Sequence, residues 1–477
     1  MIRRREFLAA ASLAAVSEAG QANAILVDPQ PLFEISPWLY MQFMEPLGAT
    51  DSSVEASWDY DTGDWRKDFV DAVRDLAPGA IRFGGLFSRY YKWREGIGPA
   101  EKRPTMRNFV WGGIETNRVG THEFVDFCRR VGAEPFYCVN FLSDGEKRHA
   151  ARTGDAREAA DWVSYAKEQN LNLKLWQIGN ETSYGTVCFT KEEAIAHTIE
   201  FARAMKQRDP SIQLIGWGDR GRDGKLWAPD MERQAGEHLD FLAIHMMGQS
   251  PKRPDTVLKG LLYQKDPARA REELSELADA VERRVTEIAQ ATKKPIAITE
   301  GHLSLSPHNT NPILFEWLSA VYHARSMNIY QRLGDRIRIA TAADFQGNRW
   351  TNTAVMVPTP RGRSFLMPAG SIARLFRRHN GTHGVAVKLA PPGLDVAASR
   401  SGNKLFLHVA NVSYNRAIIA SFPGTAGGRV FEIAPEDLRS YVNQDQPDVF
   451  RPRESPIEGS TWRFPAGSVS AVELDLA

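Results

Sequence analysis

Residues 173–183 read LKLWQIGNETS, an apolar segment of strand length that stops abruptly at a carboxylate, Glu181. A second segment, KPIAITE at 294–300, is built the same way: short, β-branched and apolar until it delivers Glu300. Runs without polar alternation are how strands buried on both faces read, and such strands belong to parallel sheets covered by helices. Working outward, similar runs lie at 39–44, 80–83, 135–140, 213–216, 241–245 and 337–342, which with 173–178 and 295–299 makes eight. Amphipathic helical stretches fall between them, among them 64–76, 156–169, 191–207 and 267–291. Eight such strands close a parallel barrel, so the expected fold is α/β, a (β/α)8 TIM barrel. An open doubly wound sheet would need a glycine-rich phosphate turn after its first strand, and MEPLGAT at 44–50 is not one.

The pattern changes after Arg377. From about Gly384 the chain alternates with period two, as in KLFLHVANVS (404–413) and SVSAVELDL (468–476), with glycine and proline punctuation and no long helix. This predicts a C-terminal antiparallel β-sandwich domain. The expected organisation is a signal segment at 1–24, an N-terminal strand at 25–36 added to the sandwich, a catalytic barrel at 37–380 and the sandwich at 381–477.

Charge and composition exclude several partners. The chain of 477 residues carries 59 basic and 58 acidic side chains, so no field favours a polyanion, and nucleic acid is not expected as a partner. Arg3, Arg4 and Arg5 precede Phe7 and Leu8, an alanine-rich stretch follows, and Ala22, Asn23 and Ala24 offer small residues for cleavage. RRREFL resembles a twin-arginine export signal, which predicts a periplasmic or extracellular protein. No later run reaches the ~20 uninterrupted apolar residues of a membrane span. Cys128, Cys138 and Cys188 are an odd set without zinc-site spacing, so neither an essential disulfide nor a metal site is expected. Twelve Trp and twelve Tyr suit sugar rings as well as ordinary cores.

In a barrel, the C-terminal strand ends converge on one pocket. They deliver Glu45 after strand 1, Arg82 on strand 2, Asn140 at strand 3, Asn180 and Glu181 at strand 4, His245 at strand 6, Glu300 at strand 7 and Gln346 after strand 8. Each alone has an ordinary structural use, as an ion-pair partner, a turn cap or a core imidazole; polar residues at seven of eight strand ends are hard to explain as packing. Two carboxylates facing one another suit glycosidic bond cleavage, one protonating the leaving oxygen and the other attacking the anomeric carbon or activating water. In that scheme Asn180 binds the hydroxyl next to the reacting carbon, and Arg82 keeps Glu300 ionised. Burial and the nearby Glu300 charge are expected to raise the pKa of Glu181, and His245 tunes either carboxylate. Trp176, on strand 4, is a supporting aromatic.

The chain also resembles the retaining α-L-arabinofuranosidases of glycoside hydrolase family 51. The resemblance rests on ISPWLYMQFMEPLG (35–48), IRFGG (81–85), WREGIGPAEKRP (93–104), ETNRVGTHEF (115–124), GAEPFYCVN (132–140), EAADWVSYAKE (158–168), LKLWQIGNE (173–181) and RDPSIQLI (208–215). It implies an acid/base at Glu181, a nucleophile at Glu300, glycone contacts at Glu45 and Asn180, a strand-8 contact at Gln346, and a sandwich after the barrel. An oligo- or polysaccharide substrate and no cofactor follow from it, and a homo-oligomer is compatible with it. Three positions depart from the family pattern: Leu86 stands where the family has Asn, Met246 where a Tyr follows the strand-6 His, and Gly301-His302 where Trp-Asn follows the nucleophile.

These departures leave the glycone open. Besides an arabinofuranosidase-like retaining enzyme, the sequence admits a carbohydrate-binding or inactive relative and a barrel glycosidase acting on pyranosides. A metal-dependent hydrolase using His245, His302 and His308 is the remaining class; it lacks a His-x-His pair on strand 1.

Overall fold

A computed structural model of the chain describes residues 23–48, 54–141, 154–184, 189–341, 343, 345–359 and 362–477. The signal-like segment up to residue 22, Cys188, and residues 49, 50 and 342 of the expected runs lie outside the described residues. Eight parallel strands form one sheet in chain order: Met41–Met44, Ala80–Phe83, Glu134–Val139, Leu175–Ile178, Gln213–Trp217, Phe241–Gln249, Ile296–Ser304 and Ile337–Ala340. They are referred to as barrel strands 1 to 8. The last strand returns to the first, where Ala340 N donates to Trp38 O at 3.4 Å, so the sheet is a nearly closed barrel. A helix follows each strand, from Lys67–Leu76 after strand 1 to Pro368–Arg378 after strand 8.

Side-chain alternation explains how the barrel is filled. Met41, Phe136, Leu175, Ile215, Trp217, Phe241, Ala243, Ala297 and Ile339 form the apolar cluster of the barrel interior. Their sequence neighbours, such as Trp176, Ile244 and Ile298, belong instead to the clusters shared with the helices.

Strands 6 and 7 differ from the other six in length. Each has nine residues, and their pairing continues past the barrel rim to Gln249 opposite Ser304. Between Ile244 and His245 the register shifts: Ile244 faces Ile298, yet His245 faces Glu300. Thr299 is the extra residue of this bulge. A bulge re-aims side chains, and here it sets His245 beside Glu300.

The C-terminal region is antiparallel. A seven-stranded sheet contains His383–Leu389, Leu394–Ser401, Lys404–Asn411, Thr425–Ile433, Arg453–Ile457 and Val469–Leu476, and Leu26–Glu34 pairs with its His383–Leu389 edge. The opposing layer is small, the two strands Ile418–Ser421 and Thr461–Phe464, with Leu407, Val409, Phe422, Val430 and Phe464 packed between. The other face of the large sheet rests on the barrel helices Ala320–Arg332 and Pro368–Arg378. Buried polar links tie the two parts together. Arg271, fully buried, donates to Asn411 O at 2.7 Å and Val412 O at 3.0 Å, while Asp395 accepts from Arg325 at 3.1 Å and Arg332 at 2.9 Å. Cys128 and Cys138 are buried free thiols. Among the described residues no helix is long and apolar enough to cross a membrane.

Candidate active site

The strand ends meet around Arg82, which is fully buried on strand 2. Its guanidinium has three partners: Nε donates to Gln177 Oε1 at 2.9 Å, Nη1 to Glu300 Oε1 at 3.1 Å and Nη2 to Asn180 Oδ1 at 2.6 Å. One cation therefore fixes strand 4 against strand 7, using the planar fork that suits such multiple recognition.

Glu181 sits just past strand 4, in a backbone conformation that side chains avoid, with φ +51°. Such a residue costs about 1–2 kcal/mol unless its surroundings hold it there. Here its carbonyl accepts from Tyr184 N at 2.9 Å and from Arg89 Nη2 at 3.1 Å. The side chain reaches His245, whose Nδ1 lies 3.0 Å from Glu181 Oε1 and 3.5 Å from Glu300 Oε2. Glu181, His245 and Glu300 each present a polar atom within 4.8 Å of those of the other two. His245 is further fixed by Thr299 Oγ1, 3.2 Å from its Nε2, and by its own backbone N–H donating to Asp219 Oδ2 at 3.0 Å.

The electrostatics of Glu181 correct the expectation of a raised pKa. Burial does push it up and is the largest single influence. The hydrogen bond and charge of His245, with Arg89 and Arg82 behind them, outweigh burial and hold the carboxyl below its ordinary value. Glu45 is the group that is raised. It is buried after strand 1, and burial, reinforced by the Glu300 charge, pushes its carboxyl well above the carboxylate range. Glu45 Oε1 accepts from Phe87 N and from Trp111 Nε1, both at 2.8 Å. Gly85 leaves room for it: a Cβ there would lie 2.3 Å from the Glu45 carboxyl carbon.

The other expected residues are less uniform. Asn140 follows directly after strand 3 and is buried. Asn180 Nδ2 and both amide ends of Gln346 are buried with no hydrogen-bond partner among the described residues. Orphaned buried amides are costly, and an incoming hydroxyl would relieve them. Gln346 lies on the short strand Phe345–Gly347, which packs beside barrel strand 1. Trp176 is not part of this group: it points to the helix side, its Nε1 donates to Leu173 O at 3.3 Å and its ring contacts Tyr137 and Trp162. The pleat decides this, because Leu175 and Gln177 face inward and the residue between them cannot.

The three departures also fall in different places. Leu86 is half-buried at the start of the turn of 3₁₀ helix Leu86–Tyr90. Met246 is buried in the cluster behind strands 6 and 7, with Ile244, Leu303 and Tyr322, rather than at the mouth. Gly301 packs so closely on strand 8 that a Cβ would lie 2.4 Å from Thr341 O. A larger residue there would have to move that strand.

Sequence reasoning missed Asp219, Arg89 and Trp111. Asp219 is fully buried past the end of strand 5 and accepts from Tyr184 Oη at 2.7 Å and from Arg284 Nη2 at 2.7 and 2.8 Å, so strand 5 also ends in a buried polar residue. The same strand-end rule would have found it. Arg89 and Trp111 come from the connection after strand 2, which carries no such signal.

Among the described residues the one group of three able to reach a single metal ion is Glu181, His245 and Glu300, and His302 and His308 are not in it. Arg82 and Arg89 already face its two carboxylates, at 3.1 and 3.8 Å. Cations in those positions compete with a metal for the same oxygens.

Residues 72–259 match the model of the family described as the alpha-L-arabinofuranosidase 1 domain. A protein of Aspergillus niger named "Probable alpha-L-arabinofuranosidase C" is 33% identical over an alignment covering 42% of this chain and 42% of that protein. The chain thus spans about two fifths of the length of the curated relatives it matches. A solved structure titled as an arabinofuranosidase is 25% identical, with TM-score 0.75 over 95% of this chain and 100% of the other. A family 51 α-L-arabinofuranosidase of Thermotoga petrophila, 24% identical, shares the fold with TM-score 0.75 over 94% and 99%. The chain is therefore similar to the family 51 arabinofuranosidases, in agreement with the resemblance carried by its barrel motifs.

Proposed function

We propose that this chain is a retaining glycoside hydrolase that removes non-reducing-end furanosyl residues, α-L-arabinofuranosyl first among them, from oligo- or polysaccharides. The observation that carries the reading is the spacing of the two strand-end glutamates, with carboxylate oxygens within 4.8 Å of each other on the two sides of His245. Double displacement requires carboxyl groups ~5–5.5 Å apart, whereas inversion leaves ~6.5–9.5 Å for a water.

In the first step Glu300, kept ionised by Arg82, attacks the anomeric carbon, and the bond to the aglycone oxygen breaks. The Glu181–His245 pair supplies the proton that this oxygen takes. A bound sugar removes water from Glu181 and so counters the cations that hold its pKa down. In the second step Glu181 takes a proton from water as that water attacks the anomeric carbon and frees Glu300. Asn180, Glu45 and Gln346 bind the sugar hydroxyls, and the buried amides gain partners as they do so.

The test is a panel of 4-nitrophenyl furanosides and pyranosides, with the anomer of the first product read by proton NMR. Turnover of the α-L-arabinofuranoside with retained configuration is expected. An inverted first product, or turnover confined to pyranosides, overturns the assignment. Export by the N-terminal segment is part of the same proposal, and a protein expressed with residues 1–24 that stays in the cytoplasm would remove that part.

A further inference from the structure

Arg89 has no place in the chemistry described above, and it is built against the glutamate that performs the proton transfers. It comes from the 3₁₀ turn Leu86–Tyr90 after strand 2, and only 15% of its side chain is exposed. Nε donates to Asn180 O at 3.4 Å and Nη2 to Glu181 O at 3.1 Å, while Nη2 stands 3.8 Å from Glu181 Oε2. One guanidinium thus grips two consecutive carbonyls of the strand-4 exit and faces the carboxylate that this exit presents.

The geometry points to Arg89 as the positioning residue of the acid/base glutamate: its fork holds the left-handed backbone of Glu181, and its fixed charge sets the pH at which Glu181 gives up its proton. This rests on the reading of Glu181 as acid/base. The physical case has two parts. A non-glycine residue at φ +51° returns toward ordinary geometry unless tethered, and the tethers are the Arg89 bonds and the Tyr184 N–H. An opposite charge about 4–6 Å away lowers a carboxyl pKa by about 1–3 units, and an arginine does so at every working pH.

The other groups facing Glu181 act differently. His245 from strand 6 reaches only the side chain of Glu181, through Nδ1; Arg82 from strand 2 is committed to Glu300, Asn180 and Gln177; Glu300 on strand 7 and Glu45 after strand 1 are acids; and Asp219 after strand 5 reaches the site through the His245 backbone. Arg89 alone among these touches both the main chain and the side chain of Glu181. Glu300 keeps its own cation when Arg89 is replaced, because Arg82 Nη1 stays 3.1 Å from Glu300 Oε1.

The test compares pH profiles of kcat/KM for the parent, Arg89→Met and Arg89→Lys on an aryl α-L-arabinofuranoside, with folding checked by Tm. In Arg89→Met the basic limb, which reports loss of the Glu181 proton, should move alkaline by about one pH unit, and kcat should fall at least about tenfold. Arg89→Lys keeps the charge and loses the fork, so its limb should stay with the parent while kcat still falls. Should Arg89→Met not fold, Arg89→Gln serves in its place with the same expected limb. Coincident limbs in parent and uncharged variant reduce Arg89 to a structural prop and overturn the inference. Absence of any glycoside turnover by the parent removes the acid/base reading itself, and this inference with it.

Discussion

Arg82 Nη1 donates to Glu300 Oε1 at 3.1 Å, and both side chains are buried. Removing one member of such a pair leaves an uncompensated charge and costs about 3–5 kcal/mol. Arg82→Met should therefore lower stability by that amount and abolish turnover. Arg82→Lys keeps the charge, yet a single ammonium cannot span Gln177, Glu300 and Asn180, so kcat should fall steeply with a smaller stability loss. Denaturant unfolding together with kcat would check this, and an Arg82→Met protein as stable as the parent would show that the pair contributes nothing.

Glu181 and Glu300 should fail differently when truncated. Glu300→Ala should lose turnover on every substrate. Glu181→Ala should retain it on aryl glycosides with good leaving groups, lose it on natural-type linkages, and recover in azide with formation of a glycosyl azide. Because His245, Arg89 and Arg82 hold Glu181 low, the parent should lose its acid as pH rises and work best on the acid side of neutrality. A kcat/KM optimum at alkaline pH would contradict that sign.

Glu45 is raised by burial and the Glu300 charge, which favours its protonated form. Glutamine is nearly isosteric with the protonated form: its oxygen can accept from Phe87 N and Trp111 Nε1, and its NH₂ can replace the acid O–H. Glu45→Gln should stay within about tenfold of the parent in kcat/KM, whereas Glu45→Ala leaves both donors unpaired, at about 1–3 kcal/mol for the buried Phe87 N–H. Equal damage from both substitutions would mean that a charged Glu45 is required.

His408 lies between the barrel and the C-terminal sheet, stacked on Phe376 at 4.1 Å, with Nε2–H donating to His379 O at 2.8 Å. Burial depresses its pKa from 6.5 to about 3. Between those values the unfolded chain holds the proton and the folded one does not. Stability from this group is thus complete above pH 6.5 and falls as the solution is acidified toward pH 3, by about 1.4 kcal/mol per unit. His408→Gln keeps a donor and removes the titration. Its stability relative to the parent should improve steadily from pH 6.5 downward, and a constant difference across that window would show that His408 does not titrate there.

By itself the sequence determined the barrel and the two glutamates. Uninterrupted apolar runs such as 173–178 and 295–299 can be buried only between helices, and a carboxylate that ends such a run must lie at the sheet edge, where the strands converge. Asp219 obeys the same rule and was legible in principle. The remainder was decided in three dimensions. The phase of the pleat turned Trp176 and Met246 away from the mouth, and phase is set by pairing with neighbouring strands rather than by residue type. One bulge at Thr299 brought His245 against Glu300. The sign of the Glu181 shift was likewise beyond the sequence, because burial and cations act in opposite directions and the outcome depends on ångström distances from Arg89, Arg82 and His245, residues 92, 99 and 64 positions away in the chain.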